Sequence, residues 1–305
     1  MGALLWLALP LGAAGAGVVF TRELYRHVFE RGGSRLLTPL LDKKGHEPDY
    51  YLHRDTAADR LRSLPQERLS LVSARGETLR GFYFDNGARG KRIAFLVHGY
   101  RSEHAETAGM YYDCYRRRGV DLFCCDQYAH GESGGEAIGF GAAEAEDCLA
   151  WLELLIERFG PDTQILLHGF SMGAATVLNM SDRLPPQVKF LIADSGYMDA
   201  REQLKGQLGA MFQPLRLMNW RKTGRDLQES DARPRLDRSR VPILFVHGEA
   251  DRTVPFVNGP RLMNYYQGPR EQLFVPGARH IESMHVAPEA YEARLDAMLD
   301  LCFRR

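Results

Sequence analysis

The chain has 305 residues, 45% of them hydrophobic and 26% charged, with Lys+Arg and Asp+Glu both at 39. That length suits one large α/β domain with a short extension, and a formal net charge of zero excludes the basic footprint of a nucleic-acid-binding protein. The five cysteines, Cys114, Cys124, Cys125, Cys148 and Cys302, have no zinc spacing and favour a reducing compartment.

From Gly2 to Phe20 no side chain is charged. A run of that length can cross a bilayer as one helix, although Pro10 and several glycines weaken it. No lysine or arginine precedes it, whereas Arg22, Arg26, Arg31 and Arg35 follow. The positive-inside rule therefore predicts a membrane anchor on residues 1–20, with membrane association through residues 3–20 and the body in the cytoplasm. The rival is a signal peptide cleaved near Ala14-Gly15-Ala16, which leaves a secreted body. Residues 21–67 read as a helix and then a polar connector with an ordinary solvated face.

Leu69–Ser73 and Leu79–Phe84 flank Arg75-Gly76-Glu77 and predict a hairpin opening a domain at 68–305. From residue 92, apolar runs alternate with helical patterns near 104–118, 142–159, 172–183, 258–267 and 288–302. This is the pattern of a mostly parallel sheet covered on both faces. Ile93–Val97 leads into His98-Gly99-Tyr100. Cys124 and Cys125 lie inside an apolar run as small hydrophobes, and Asp126–Gly134, with His130, Gly131 and Ser133, reads as a structural turn. Ile165–His168 drives into Gly169-Phe170-Ser171-Met172-Gly173 and then a helix-forming stretch. A serine between two glycines at a strand-to-helix corner is a nucleophile elbow, whose strained backbone holds the hydroxyl above the sheet. The segment between Asp194 and Val241 is too long for a simple crossover. Beyond it, Val241–Gly248 ends in Glu249-Ala250-Asp251, and Glu271–Gly277 ends in Ala278-Arg279-His280. Serine, acid and histidine thus each follow a strand, in the order that accompanies an elbow.

With these four motifs in sequence, the chain resembles an α/β-hydrolase of the bacterial serine-hydrolase type, esterase/lipase-like or serine aminopeptidase-like, over roughly residues 68–303. The resemblance implies the α/β-hydrolase fold with a helical lid at about 197–238. Met211, Phe212, Met218 and Trp220 are the lid's candidates for facing substrate. It also implies Ser171 as nucleophile, His280 as general base and acid, and Asp251 as the group that orients the imidazole. The backbone N–H groups of Tyr100 and Met172 are the expected oxyanion donors. His285 is the rival base, and Asp194 and Asp199 are rival acids. Asp194 is read instead as organising a turn before the lid. His98 is expected to brace the oxyanion loop, while His168 and His247 have no assigned role. The expected reaction is cleavage of a carboxylic ester, thioester or amide of a small acyl-bearing substrate through an acyl-enzyme, carboxylesterase- or lipase-like. A peptidase or acyltransferase on the same triad is the alternative, and a non-catalytic binding protein of the same fold is a remote one. A serine at the elbow rules out an aspartate-nucleophile dehalogenase. With no HExxH, zinc-spaced cysteine pair or glycine-rich phosphate loop, no metal or cofactor is expected.

Overall fold

A computed structural model describes residues 2–38 and 45–303, with the backbone alone for residues 2–15. Its sheet has eight strands: β1 (Glu67–Val72), β2 (Thr78–Phe84), β3 (Arg92–Val97), β4 (Asp121–Asp126), β5 (Gln164–Phe170), β6 (Val188–Asp194), β7 (Ile243–Gly248) and β8 (Arg270–Val275). They lie in the order β1-β2-β4-β3-β5-β6-β7-β8. Only β2 runs antiparallel to its neighbours, β1 and β4; the other pairs are parallel. The helices are α1 (Gly2–Phe29), α2 (Pro48–Ser63), α3 (His104–Arg116), α4 (Ala142–Phe159), α5 (Met172–Asn179), α6 (Ala200–Leu208), α7 (Phe212–Thr223), α8 (Arg233–Arg238), α9 (Asn258–Tyr265), α10 (Ser283–Val286) and α11 (Pro288–Cys302).

The central strands are apolar on both sides because helices cover both faces. Ile93, Phe95 and Val97 of β3 join Phe123, Ile165 and Leu167 on one face, with Trp151 and Leu155 of α4. Ala94 and Leu96 point the other way, toward Tyr111 of α3, Leu61 of α2 and Tyr291 of α11. The same alternation sends Cys125 to the first face and its neighbour Cys124 to the second, and all five cysteines are free. After β3 the chain steps outward to β4, then returns across β3 to build β5 and beyond. The adjacent carboxyl ends of β3 and β5 therefore form the point where strand order reverses, the usual place for a ligand crevice in such sheets.

The segment expected as a lid is helical, formed by α6, α7 and α8. Phe212, Leu215 and Leu227 from it pack with Leu24, Tyr25, Val28 and Phe29 of α1 in a third buried cluster. The connector held a helix that its polar composition hid. In α2, Pro48 occupies the first turn and Tyr50, Ala58 and Leu61 are buried. α5 stops at Asn179, short of residue 183, where Pro185 and Pro186 follow. The membrane-anchor reading of residues 1–20 depends mostly on side chains outside the described residues. Among the described residues, no helix is long and apolar enough to cross a membrane.

Candidate active site

The corner between β5 and α5 places Ser171 at φ 54 and ψ −113, a region costly for a side-chain-bearing residue and held only where the surroundings enforce it. They do so through two glycines. A Cβ on Gly169 would lie 2.3 Å from the Gly173 carbonyl oxygen, and one on Gly173 would lie 2.0 Å from that of Val97. The Ser171 N–H donates to the Asp194 carbonyl at 2.9 Å, tying the elbow to the end of β6. The next amide, that of Met172, opens α5, where the first N–H groups lack helical acceptors.

Asp251 lies in the loop after β7 and is buried. Its Oδ1 accepts the N–H groups of Thr253 and Val254 at 2.9 and 3.0 Å. Oδ2 is left for His280, whose Nδ1 stands 2.7 Å away. That contact fixes the proton on Nδ1 and turns the bare Nε2 toward Ser171, 2.8 Å from Oγ. Burial alone would raise the Asp251 pKa, but hydrogen bonds and charge from His247 and His280 outweigh it and hold the carboxylate at about 2. It stays ionised across any pH at which an imidazole cycles.

The loops carrying these groups are cross-tied. A Cβ on Gly248 would lie 2.3 Å from the Ala278 carbonyl oxygen, so the acid and histidine loops touch backbone to backbone. The Ala250 N–H donates to that carbonyl at 2.9 Å. Ile281, with φ 60, donates its N–H to Ser195 Oγ at 3.2 Å. On the other side, buried His98 accepts the Gln127 N–H at Nε2 (2.9 Å) and donates from Nδ1 to the Gly99 carbonyl (2.8 Å). Burial lowers its pKa, which suits a neutral imidazole bracing the Gly99-Tyr100 loop.

The remaining candidates are placed elsewhere. His285 meets His53 at 3.3 Å and Asp49 at 3.5 Å, not the serine. Asp199 caps α6 and pairs with Arg201 and Arg233 at the base of the insert. His247 donates from Nε2 to the Val254 carbonyl at 2.9 Å and lies 3.4 Å from Asp251. His168 sits between two tyrosines, with Tyr115 Oη on Nδ1 and Tyr291 Oη on Nε2, each at 2.8 Å. Tyr291 in turn donates to Asp194 Oδ2 at 3.0 Å, and Ser195 donates to Oδ1 at 2.9 Å. Asp126 spends its oxygens on the His104 N–H, the His104 ring and the Glu132 N–H at 2.7–2.9 Å. Glu103, His104 and Asp126 are the one carboxylate–histidine group close enough to share a cation among the described residues, and these bonds mark it as the frame of the 126–134 turn.

Burial raises the Asp194 pKa to about 6, against the opposing bonds from Ser195 and Tyr291. A carboxyl whose folded pKa lies above its unfolded value binds more protons when folded, so its contribution to stability falls as pH rises from about 4 to about 6. Asp194→Asn is expected to flatten the thermal-unfolding profile over that window. An unchanged slope would show that Asp194 does not titrate there.

A cavity of about 220 Å³ opens at the serine. Its walls include Tyr100, Tyr111, Thr253 and Ile281, and also His46, Tyr50 and Arg54 from the start of α2 and the residues just before it. None of Met211, Phe212, Met218 and Trp220 lines it. Phe212 is buried against α1, Met211 and Met218 pack on the same cluster, and Trp220 is half exposed. This corrects the expected lid contacts: α1 occupies the side toward which the insert's apolar residues turn. The connector takes the covering role, latched to the histidine loop by His46 Nδ1 on Glu282 at 2.7 Å and by Arg279 on Glu47. The buried Tyr50 just after Pro48 was the sequence signal for it.

Residues 139–300 match the sequence profile of the prolyl oligopeptidase family. The uncharacterised protein YqkD of Bacillus subtilis (strain 168) is 26% identical over 194 residues, 60% of this chain and 63% of that relative, so the chain spans under two thirds of its length. The fold is similar to that of the Pyrococcus furiosus esterase Pf2001, with a TM-score of 0.65 at 20% identity over 80% of this chain and 95% of that one. It also resembles the α/β hydrolase GrgF from Penicillium sp. sh18 (TM-score 0.63, 18% identity, 78% and 99% covered). Est1E from Butyrivibrio proteoclasticus gives 0.59 at 18% identity, with 76% and 99% covered.

Proposed function

Since the chain belongs to the prolyl oligopeptidase family and has the α/β-hydrolase fold of a serine hydrolase, we propose that it cleaves carboxylic esters of short acyl chains through an acyl-enzyme on Ser171. The observation that carries this reading is the unbroken chain of hydrogen bonds from Ser171 Oγ through His280 to Asp251, opening on a cavity. Ser171 Oγ attacks the ester carbonyl carbon while His280 Nε2 takes its proton. The amides of Tyr100 and Met172 hold the oxyanion, each worth roughly 3 kcal/mol in comparable sites. The protonated imidazole, steadied by Asp251, gives its proton to the departing alkoxide. Water then follows the same path to release the acid and restore the serine.

The size of the cavity, about 220 Å³, lies below the roughly 300–1,000 Å³ of drug-sized ligand sites and favours a small acyl group. Esters are preferred because Pf2001 is named an esterase. A peptidase is the second reading, favoured by the family match itself. Hydrolysis of p-nitrophenyl acetate, butyrate and decanoate should be compared with that of aminoacyl p-nitroanilides. The expected result is kcat/KM at least about tenfold higher for the two short esters than for the decanoate, with anilides lower still. Preference for anilides would replace the esterase reading with the peptidase one.

A further inference from the structure

The surface where α1 meets α7 has no part in the chemistry above. Phe212, Leu215 and Asn219 of α7 are buried. Leu217 and Trp220, three residues apart and so neighbours on the helix, are 45% and 50% exposed. On α1, which packs against α7, Val18 and Phe20 are 69% and 49% exposed. The two helices are fastened together by Tyr25 Oη donating to Asn219 Oδ1 at 3.4 Å and by Lys222 on Glu30 at 2.7 Å. Between them runs an open groove of about 970 Å³, lined by the cations Arg22, Arg26, Arg221 and Lys222 and by the carboxylate Glu30, with Glu23 paired to Arg26 at 2.5 Å; four cations thus meet two carboxylates.

We propose that this face docks on an anionic lipid surface. Large exposed apolar groups rimmed by charge mark an interaction site. Tryptophan, leucine and phenylalanine under a rim of arginine and lysine are the composition that settles at the headgroup boundary. The excess of cations matches anionic phospholipid and argues against a second copy, since two such faces would repel. In sequence, α1 opens with the uncharged Gly2–Phe20 stretch. Docking would be felt at the site. Tyr100, in the loop expected to hold the oxyanion, donates its Oη to the carbonyls of Val28 and His27 at 2.9 and 3.0 Å. Those carbonyls lie about 15 Å along α1 from Val18 at the helical rise.

The test uses the full chain carrying Trp6→Phe. Of the three tryptophans, Trp151 is buried in the core, so Trp220 is then the one that lipid can reach. With vesicles of phosphatidylcholine and phosphatidylserine bearing brominated acyl chains, its emission should fall by about half, and high salt or pure phosphatidylcholine should abolish the loss. Adding Leu217→Glu and Arg221→Glu should weaken partition by about tenfold or more, with ester hydrolysis in solution unchanged. Three results would each overturn the proposal. One is full Trp220 emission on vesicles that co-sediment with the protein, since residues 2–20 would then be acting alone. The others are no co-sedimentation at all, and lipid-free dimerisation abolished by Leu217→Glu.

Discussion

Ser171→Ala is expected to lower ester hydrolysis by about 10⁴- to 10⁶-fold and to abolish labelling by a fluorophosphonate probe. Alanine keeps the Cβ, so the strained corner at φ 54 is unchanged and the fold should survive; the loss is of the attacking oxygen alone. His280→Ala should cost a comparable factor, because the three groups act as one unit and the second removal adds little to the first. His285→Ala should retain most activity, since that ring is engaged with His53 and Asp49 and makes no contact with the serine. The measurement is kcat/KM on a short p-nitrophenyl ester, with circular dichroism to show that each variant is folded. A Ser171→Ala protein that is folded and keeps its activity would remove the acyl-enzyme account, and labelling that persists would locate the nucleophile elsewhere.

What could be read from the chain and what could not divide along a physical line. Ser171 was legible because its conformation needs glycine two residues before and two after, a demand that leaves a local mark. Asp251 and His280 were legible from position, each just beyond an apolar run that could only be a buried parallel strand. Parallel strands bring their carboxyl ends to one edge whatever lies between them. His168 gave no such mark. Its partners Tyr115 and Tyr291 are 53 and 123 residues away, and nothing in the local pattern announces a polar chain through the core. The covering of the site was misread for a related reason. Periodicity identifies Phe212 and Leu215 as apolar and inward but not which element they meet, and α1 took that place. Meanwhile the segment around His46–Arg54, polar in composition, gained its position through a hydrogen bond from His46 and an ion pair from Glu47 to the histidine loop, and through a buried Tyr50.

The second large effect is structural, and it tests why the elbow has the sequence it has. A Cβ on Gly173 would stand 2.0 Å from the carbonyl oxygen of Val97 and 2.6 Å from that of His98. Val97 ends β3 and is paired with Cys125 of β4 and Gly169 of β5, and the His98 carbonyl just beyond accepts from Gln127 Nε2 at 2.6 Å, so neither can move without breaking these bonds. Gly173→Ala is therefore expected to destabilise by about 3 kcal/mol or more, the upper end of overpacking costs. In a chain of this size that corresponds to a melting point lower by roughly 5 °C. It should also cut ester hydrolysis, because the displaced backbone leads directly into the Gly99-Tyr100 loop. Gly206→Ala supplies the comparison. That glycine lies in α6 with open space around its Cβ position, and alanine there should be neutral or stabilising by up to about 1 kcal/mol. Differential scanning calorimetry on the two variants separates the readings. If Gly173→Ala melted with Gly206→Ala and kept full activity, the contact between the elbow and the end of β3 would not be what sets the geometry of Ser171.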